Sequence, residues 1–596
     1  MAIVTSILFI IAFISYISGA LLCPIGKEEQ NRPVQGFQTI IYQCIVLMNI
    51  TAFAAVIFNK VHIPITLLTT SVFILVLSGI LWGIIFYKKE KNVIFWSRTD
   101  GISMAILIVV IGFISAKMFN FSLEVTYPIQ DAANHFKSAM YILRAKRMGV
   151  YSFTPYVNAT LMELFQPFFS QIQIYKTFIL ADIIYHVLEI LAVYCVFSSI
   201  SKKNVFQITN LIFYVIYFIG YPYLCFSYGF VRQQRASLLF IGLVCHIIKE
   251  KKGIHFYVLV FIQLFNILES YPIYLLQAGL LVGMFFLGVY RKRIYHFLKS
   301  NMGKIVAIVC TIMGVVGAYV VYLKFDAAKN SLSEAGGTYF SPYSDLVYFV
   351  PPMIFVIVEV LKVKMKGRTN VICACVIISC VAVTIGEFIL WWNGVMSSYY
   401  YYKAYSLLWF AGWLSCVYAI RILVFVKRRR EILFYGSLVI VLCFIQCTGI
   451  NKILVEKDPY IENGSMRSDY YNLLGENLTQ ICGKERENYF SHALEDAAIY
   501  IKTNNADSKI CYMATDKERN TYLWFCTMTD IISYEVPYTS TDMNELKYIG
   551  NEWKIDCFLI NKKSIFYDNN RDILEKMNCV YQNEETILLQ KNGTEW

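Results

Sequence analysis

Charged side chains are scarce in this chain. Asp, Glu, Lys and Arg make up 16% of 596 residues, against 57% hydrophobic ones. No soluble domain of that length could bury so much apolar surface, so a water-soluble globular protein is excluded. The 17 cysteines are scattered through apolar runs and contain no CxxC pair or other metal-ligand spacing, so neither a zinc site nor a redox motif is indicated. Cys373-Ala-Cys375 reads as small-residue packing. A Gly-rich phosphate loop, an internal repeat and a low-complexity linker are all missing. The opening Met1-Ala-Ile-Val has no basic segment before it and no small-residue cleavage site after the apolar run, so it is expected to be a retained span and not a cleaved signal peptide.

What the chain has instead is apolar runs of about the 20 residues needed to cross a bilayer. They fall at about 2–22, 38–58, 64–86, 101–119, 176–200, 205–226, 232–248, 254–270, 272–290, 305–323, 345–361, 370–390, 404–425 and 431–450. Basic clusters stand between them at Lys88–Lys91, Lys202-Lys203, Lys249–Lys252, Arg291–Arg293, Lys362–Arg368 and Lys427–Arg430. With these spans all six fall on one side, which marks the cytoplasm and puts both termini outside, in a plasma (inner) membrane. The net charge of +12 follows from this bias and calls for no nucleic-acid partner. The expected fold is mainly α: a polytopic membrane helix bundle of about 14 spans with a C-terminal extracytoplasmic α/β domain.

Three parts are expected: three transmembrane helices in 1–95, a transmembrane module in 96–450 with outer segments at 120–175 and 324–344, and the outer domain in 451–596. In that tail His492–Lys502 has helical periodicity, and Asn570–Met577 is expected to be helical too. Lys509–Ala514, Asp556–Asn561 and Glu585–Gln590 read as short strands with polar punctuation. Its five cysteines, an odd number, imply no complete disulfide framework.

Polar groups at outer span ends are the candidates for chemistry. Tyr127-Pro-Ile-Gln-Asp131-Ala-Ala-Asn-His135-Phe136 follows the fourth span. An Asp and a His four apart share a helical face, so both can address one hydroxyl, phosphate or metal; as a plain helix start they need no such task. Arg232-Gln-Gln-Arg235 carries two guanidiniums a turn apart that can grip a phosphate or snorkel at the interface. Glu269-Ser-Tyr271-Pro272 breaks an apolar stretch. Glu387 and the run from Trp391 through Tyr399 to Lys403 form another outer edge, with the aromatics of an interfacial belt or of a sugar platform. Asp182, His186 and Glu189 share one face of the fifth span, as a proton relay, a cation site or interhelical polar contacts.

A long first outer loop with an acidic residue just after a helix, a bundle of about eleven helices and a C-terminal outer domain together resemble the GT-C glycosyltransferase superfamily. That superfamily includes protein O-mannosyltransferases and aminoarabinose transferases. The resemblance covers about residues 95–596 and leaves the three leading helices as an addition. It implies transfer of a sugar from a polyprenyl-phosphate donor to a hydroxyl on an envelope glycan, lipid or protein acceptor, among membrane lipids. By position, the role of base or metal partner passes to Asp131, with His135 orienting the acceptor or sharing its proton. Arg232, Arg235 or Lys403 would meet the donor phosphate, with Glu269, Tyr271 and Tyr399 beside them. The Asp-Glu pair of several members is absent, because Ala132 follows Asp131; a divalent cation on Asp131 and His135 is therefore left open.

Two rival classes compete. A transporter or lipid flippase would use Asp182, His186 and Glu189 but calls for a twofold hydropathy repeat, which the chain lacks. A scaffold or a polysaccharide polymerase would place its working loop at 324–344, where Ser331, Ser333 and Glu334 form no acid–base constellation.

Overall fold

The computed structural model of the protein describes residues 2–23, 34–89, 91–149, 152–201, 204–249, 253–299, 348–362, 368–426, 473–483, 485–505, 507–513, 519–533, 543–591 and 596. The expected spans at 305–323 and 431–450, the segment 324–344 and the basic run Lys427–Arg430 lie outside these residues.

The chain opens with α1 (Ala2–Leu22), β1 (Val34–Gln35), α2 (Gly36–Lys60), α3 (Leu67–Lys88), β2 (Ile94–Phe95) and α4 (Arg98–Met118). Two helices of the first outer segment follow, α5 (Asp131–Ala145) and α6 (Phe153–Phe165). The bundle continues with α7 (Ile174–Ser201), α8 (Asn204–Ile219), α9 (Tyr221–Tyr228), α10 (Val231–Lys249), α11 (Ile254–Ser270) and α12 (Tyr274–Lys299). Beyond residue 347 come α13 (Val350–Lys362), α14 (Arg368–Trp392), α15 (Ser398–Lys403) and α16 (Tyr405–Val426).

By length and composition, 7 of the described helices can cross a membrane, or up to 8 with one bent pair counted as a span. Ile254–Ser270, Tyr274–Gly288 and Val350–Glu359 are shorter apolar helices. This is a multi-pass helical membrane protein. α10 stays outside that set because Arg232, Gln233, Gln234 and Arg235 interrupt the start of its apolar run.

Two breaks in the helices have identifiable causes. The run expected as a single span at 205–226 bends by 41° between α8 and α9. At the bend a Cβ on Gly220 would lie 2.2 Å from Cζ2 of Trp409, so only glycine lets that ring in. The freed carbonyls are not left bare: Trp409 Nε1 donates to Tyr217 O at 3.0 Å, and Asn477 Nδ2 donates to Ile219 O at 2.5 Å and Gly220 O at 2.9 Å. The second break is where Glu269–Pro272 stands. α11 ends at Ser270 and Tyr271 is extended (φ −148°, ψ 95°), as a residue preceding proline prefers.

The leading helices are tied into the rest of the bundle by polar contacts. α1 and α3 lie together through Ser15 and Ser78, 2.6 Å apart, and through Trp82 Nε1 donating to Ser15 O. α2 reaches further in: Tyr42 OH is 2.5 Å from His246 Nδ1 on α10, and Asn266 Nδ2 of α11 donates to Asn49 O at 2.9 Å. Each buried polar group on α2 thus meets one on the module, which removes the cost of leaving it unpaired.

The C-terminal part has α17 (Leu473–Cys482), α18 (His492–Asn504), β3 (Ile510–Met513), α19 (Arg519–Thr529), β4 (Ile532–Ser533), α20 (Met543–Glu552), β5 (Cys557–Asn561), α21 (Ile565–Leu574), β6 (Cys579–Gln582) and β7 (Thr586–Gln590). Five strands form a mixed sheet in the order β4-β3-β5-β7-β6, with β3 parallel to β4 and β5, and β7 antiparallel to β5 and β6. Both faces are covered. Cys511, Met513, Phe558 and Ile560 pack with residues of α20 and α21, while Ile510, Tyr512, Cys557 and Leu559 belong to the core shared with the helix bundle. That is why the strands read as continuous apolar runs. The helix expected at 570–577 begins earlier, at Ile565, where the Ser564 side chain caps it by accepting from Tyr567 N.

Candidate functional site

The segment between α4 and α5 is held in an unusual backbone shape. Asn120, Phe121 and Leu123 have φ of 51°, 59° and 58°, the left-handed region that side chains other than Gly and Asn resist. Contacts from the C-terminal part hold it there: Asn120 Nδ2 donates to Arg486 O at 2.8 Å, Arg486 N donates to Asn120 Oδ1 at 3.0 Å, and Tyr489 N donates to Val125 O at 2.7 Å. Next comes Tyr127, fully buried. Its carbonyl accepts from Asn520 Nδ2, its ring lies parallel to that of Trp524, and its hydroxyl donates to Asp182 Oδ2 at 2.9 Å. Trp524 also stacks on Phe136 with centroids 4.8 Å apart. α5 is therefore gripped from below by the bundle and from the side by the C-terminal part.

Asp131 opens α5 in its first turn, where the helix dipole favours a carboxylate, and His135 follows one turn later. Among the described residues neither side chain has a hydrogen bond or an ion pair. Both line a cavity of about 360 Å³ with Phe230, Arg232, Gln233, Tyr271, Pro272, Ile273, Tyr400 and Lys403. Ala132 is fully buried because a Cβ at Gly229 (φ +73°) would come within 2.6 Å of its own Cβ. The turn between α9 and α10 thus presses on position 132, which leaves no room there for a second acidic side chain.

The electrostatics of the cavity favour an anion. Arg232 Nε donates to Ser270 O at 3.0 Å, which fixes the guanidinium at the rim. Lys403 Nζ lies over the rings of Phe230 and Tyr271, at 4.8 and 5.5 Å from their centroids. Gln233 Nε2 and Tyr274 OH both donate to Lys403 O, at 3.1 and 2.9 Å, and so hold its backbone. Burial raises the Asp131 carboxyl above its usual range, with Lys403 pulling the other way. His135 is driven down to about 3 by burial first and then by Arg232, Lys403 and Arg235. It is a neutral imidazole at neutral pH, able to accept a proton or a hydrogen bond.

Two residues expected at the phosphate turn elsewhere. Arg235 sits one turn deeper on α10, fully buried, with its Nη2 2.7 Å from Asp182 Oδ1 and 3.1 Å from Asn158 Oδ1 and its guanidinium 4.2 Å above the Tyr185 ring. Depth decides this: at that level a guanidinium needs a counter-charge, and α7 supplies one. Glu269 accepts from Ser152 N and Oγ at 3.1 and 3.0 Å and so caps the start of α6 instead of lining the cavity. The Tyr399 side chain lies outside the described residues. Asp182, His186 and Glu189 are all buried. His186 Nδ1 is 2.5 Å from Gln234 Nε2 and 4.0 Å from Glu189 Oε2, and its ring stacks on Phe226 at 4.4 Å.

Among the described residues no group of three or more His, Cys, Asp or Glu is placed to hold a metal ion. The cavity offers one carboxylate and one imidazole against two cations, a donor set that does not fit a divalent cation. Sequence reasoning missed Gln233, Phe230 and Tyr400 as wall residues; Gln233 stood between two arginines and carried the signal by position alone. It also missed Asn520 and Trp524, for which no local signal exists.

No family model and no curated protein matches the chain. Among solved structures it is similar to the archaeal oligosaccharyltransferase AglB from Archaeoglobus fulgidus, in complex with an inhibitory peptide and a dolichol-phosphate. That match has 10% identity and a TM-score of 0.44, over 79% of this chain and 71% of the other. It is also similar to ArnT from Cupriavidus metallidurans bound to undecaprenyl phosphate, with 10% identity and a TM-score of 0.42, over 82% of this chain and 98% of the other. Both are membrane glycosyltransferases of the superfamily that the sequence resembles. At TM-scores near 0.4 they add no weight to a mechanism, which has to come from the cavity itself.

Proposed function

We propose that the protein is a glycosyltransferase that moves a sugar from a polyprenyl-phosphate donor to an acceptor hydroxyl at the outer face of the membrane. One observation carries the reading: a carboxylate and a neutral imidazole with no other side-chain partner among the described residues share a single cavity with an arginine and a lysine. In this reading the donor phosphate rests between Arg232 and Lys403, with its tail leaving between helices. The acceptor oxygen attacks the anomeric carbon as the bond from that carbon to the phosphate oxygen breaks. Asp131 takes the hydroxyl proton, His135 orients the acceptor, and polyprenyl phosphate leaves as an anion between the two cations. The ligand class is the one bound in the two solved structures reported above. Dry surroundings strengthen each of these charge interactions.

The reading goes with about 14 spans, both termini outside and the C-terminal sheet as an extracytoplasmic domain. Labelling at Asn92 and Gly464 is expected to report opposite sides; label reaching Gly464 from the cytoplasm would remove the outer-face site. With no metal step in the mechanism, transfer is expected to survive chelation. The central test is Asp131→Asn, which keeps the shape and removes the base. Transfer should fall by about 10²–10⁴-fold with binding of polyprenyl phosphate retained. A folded, fully active Asp131→Asn protein would end the proposal.

A further inference from the structure

A second cavity, of about 420 Å³, lies where the leading helices meet the module. Phe9 and Phe13 of α1, Leu47 of α2, Ile74 of α3, Leu161 of α6 and Leu188 of α7 stand on its wall. It shares no lining residue with the Asp131 cavity.

The chemistry of this wall is uniform. It contains no charged residue, and every hydroxyl on it is already engaged. Thr51 Oγ1 donates to Leu47 O at 2.9 Å, Thr160 Oγ1 to Tyr156 O at 2.9 Å, and Tyr185 OH to Val157 O at 2.9 Å; Thr70 Oγ1 and Tyr156 OH pair at 3.2 Å. A water or a sugar needs two or more polar partners, and the wall offers it none. Left empty, a space of this size would strip the wall of dispersion contacts on one side. Hydrocarbon is the chemistry that fits.

The approach is from the bilayer. Ile10 lines the cavity and is 48% exposed. It shares α1 with Ile3, Ile7 and Ile14, each more than half exposed, on a helix long and apolar enough to span. The donor's tail is a poor candidate, because its phosphate would find no cation on this wall. The nearest one, Arg235, covers the opposite face of the Tyr185 ring and is already paired with Asp182.

We propose that this cavity holds one acyl chain of a bilayer phospholipid, which fills the seam between the three leading helices and the module. The leading helices would then have a task of their own, independent of the transfer chemistry.

The test uses the full chain in nanodiscs containing a phospholipid with a photoactivatable diazirine at mid-chain, with adducts mapped by peptide mass spectrometry. A parallel sample carries a diazirine on the chain of a polyprenyl phosphate. Phospholipid adducts are expected on Leu47, Leu161 and Leu188. In Leu188→Trp, which fills the space, adducts on Leu47 and Leu161 should drop by about tenfold or more, while transfer activity stays at the wild-type level. Should that variant not fold, Leu161→Phe makes the smaller filling change, read at Leu47 and Leu188. Absence of phospholipid adducts on the wall would overturn the proposal. So would labelling there by the polyprenyl probe alone, or labelling that a folded filling variant leaves unchanged.

Discussion

Two acid–arginine couples sit about one helical turn apart in this protein and meet opposite fates. Asp131 and Arg232 face an open cavity, whereas Asp182 and Arg235 close on each other at 2.7 Å in full burial. Arg232 and Arg235 belong to the same helix, separated by about 4.5 Å of rise. The difference lies in what surrounds them. At the deeper level Asp182 also accepts from Tyr127 and Arg235 also donates to Asn158 and Gln234, so the charges are consumed in holding α6, α7, α10 and the site loop together. At the upper level the carboxylate has no partner of its own among the described residues, and the cavity keeps its cations beside it. Charge satisfied by the fold makes structure; charge left over by the fold is available to a ligand.

Exchange of the two behaviours would break this comparison, and the largest effect is expected at the deeper couple. Arg235→Ala leaves the Asp182 carboxylate buried without its counter-ion and should destabilise the folded protein by about 3–5 kcal/mol. Melting in detergent or the yield of monodisperse protein would show it. The double change Arg235→Met with Asp182→Leu should regain much of that loss, because no charge is then stranded. An Arg235→Ala protein as stable as wild type would place the pair outside the structural core.

The upper couple is expected to act on binding and not on stability. Arg232→Ala should leave melting nearly unchanged and weaken polyprenyl-phosphate binding by about tenfold to a hundredfold, the range for one charge-assisted contact. A drop in melting as large as that of Arg235→Ala would erase the distinction between the two levels. Tyr127→Phe falls between them. It removes the hydroxyl that ties the site loop to Asp182 and should cost about 1.5 kcal/mol. Its turnover should fall while affinity for the donor phosphate holds, because the loop and not the phosphate contact loses its support.

How much of this was legible in the sequence follows from the same contrast. Apolar runs announced the spans and three of the strands, since both faces of the C-terminal sheet are buried. Asp131, His135, Arg232, Tyr271 and Lys403 could be gathered in advance because each stands at an outer span end, and the structure brings them to one cavity. Arg235 and Glu269 could not be placed, since their partners Asp182 and Ser152 come from sequence-distant elements. The bend at Gly220 was equally hidden: it is made by Trp409 and Asn477, residues far along the chain. Local pattern records what a residue needs, and only the fold decides which neighbour answers.

The smallest expected effect, and the most discriminating for the nature of the upper cavity, is the pH response of His135. Its ring titrates near 6.5 in an unfolded chain, and in the fold it is driven down to about 3 by burial and nearby cations. Between those values the unfolded state binds a proton that the native state refuses, so stability rises with pH across this window and is lost as pH falls from about 6.5 toward 3. The limiting slope is about 1.4 kcal/mol per pH unit. A smaller one is expected because His135 lies on a cavity wall and not in a sealed core. His135→Gln should flatten the dependence of melting on pH between 7 and 5. Polyprenyl phosphate should flatten it too in the wild type, since a bound anion offsets Arg232 and Lys403 and lets the imidazole keep its proton more easily. The acid limb of transfer should survive in His135→Gln and begin at a higher pH than for an ordinary carboxylate, because burial raises Asp131. A melting profile that the phosphate leaves as steep as before would mean that the anion does not rest beside His135, and would detach the phosphate from the two cations to which the cavity assigns it.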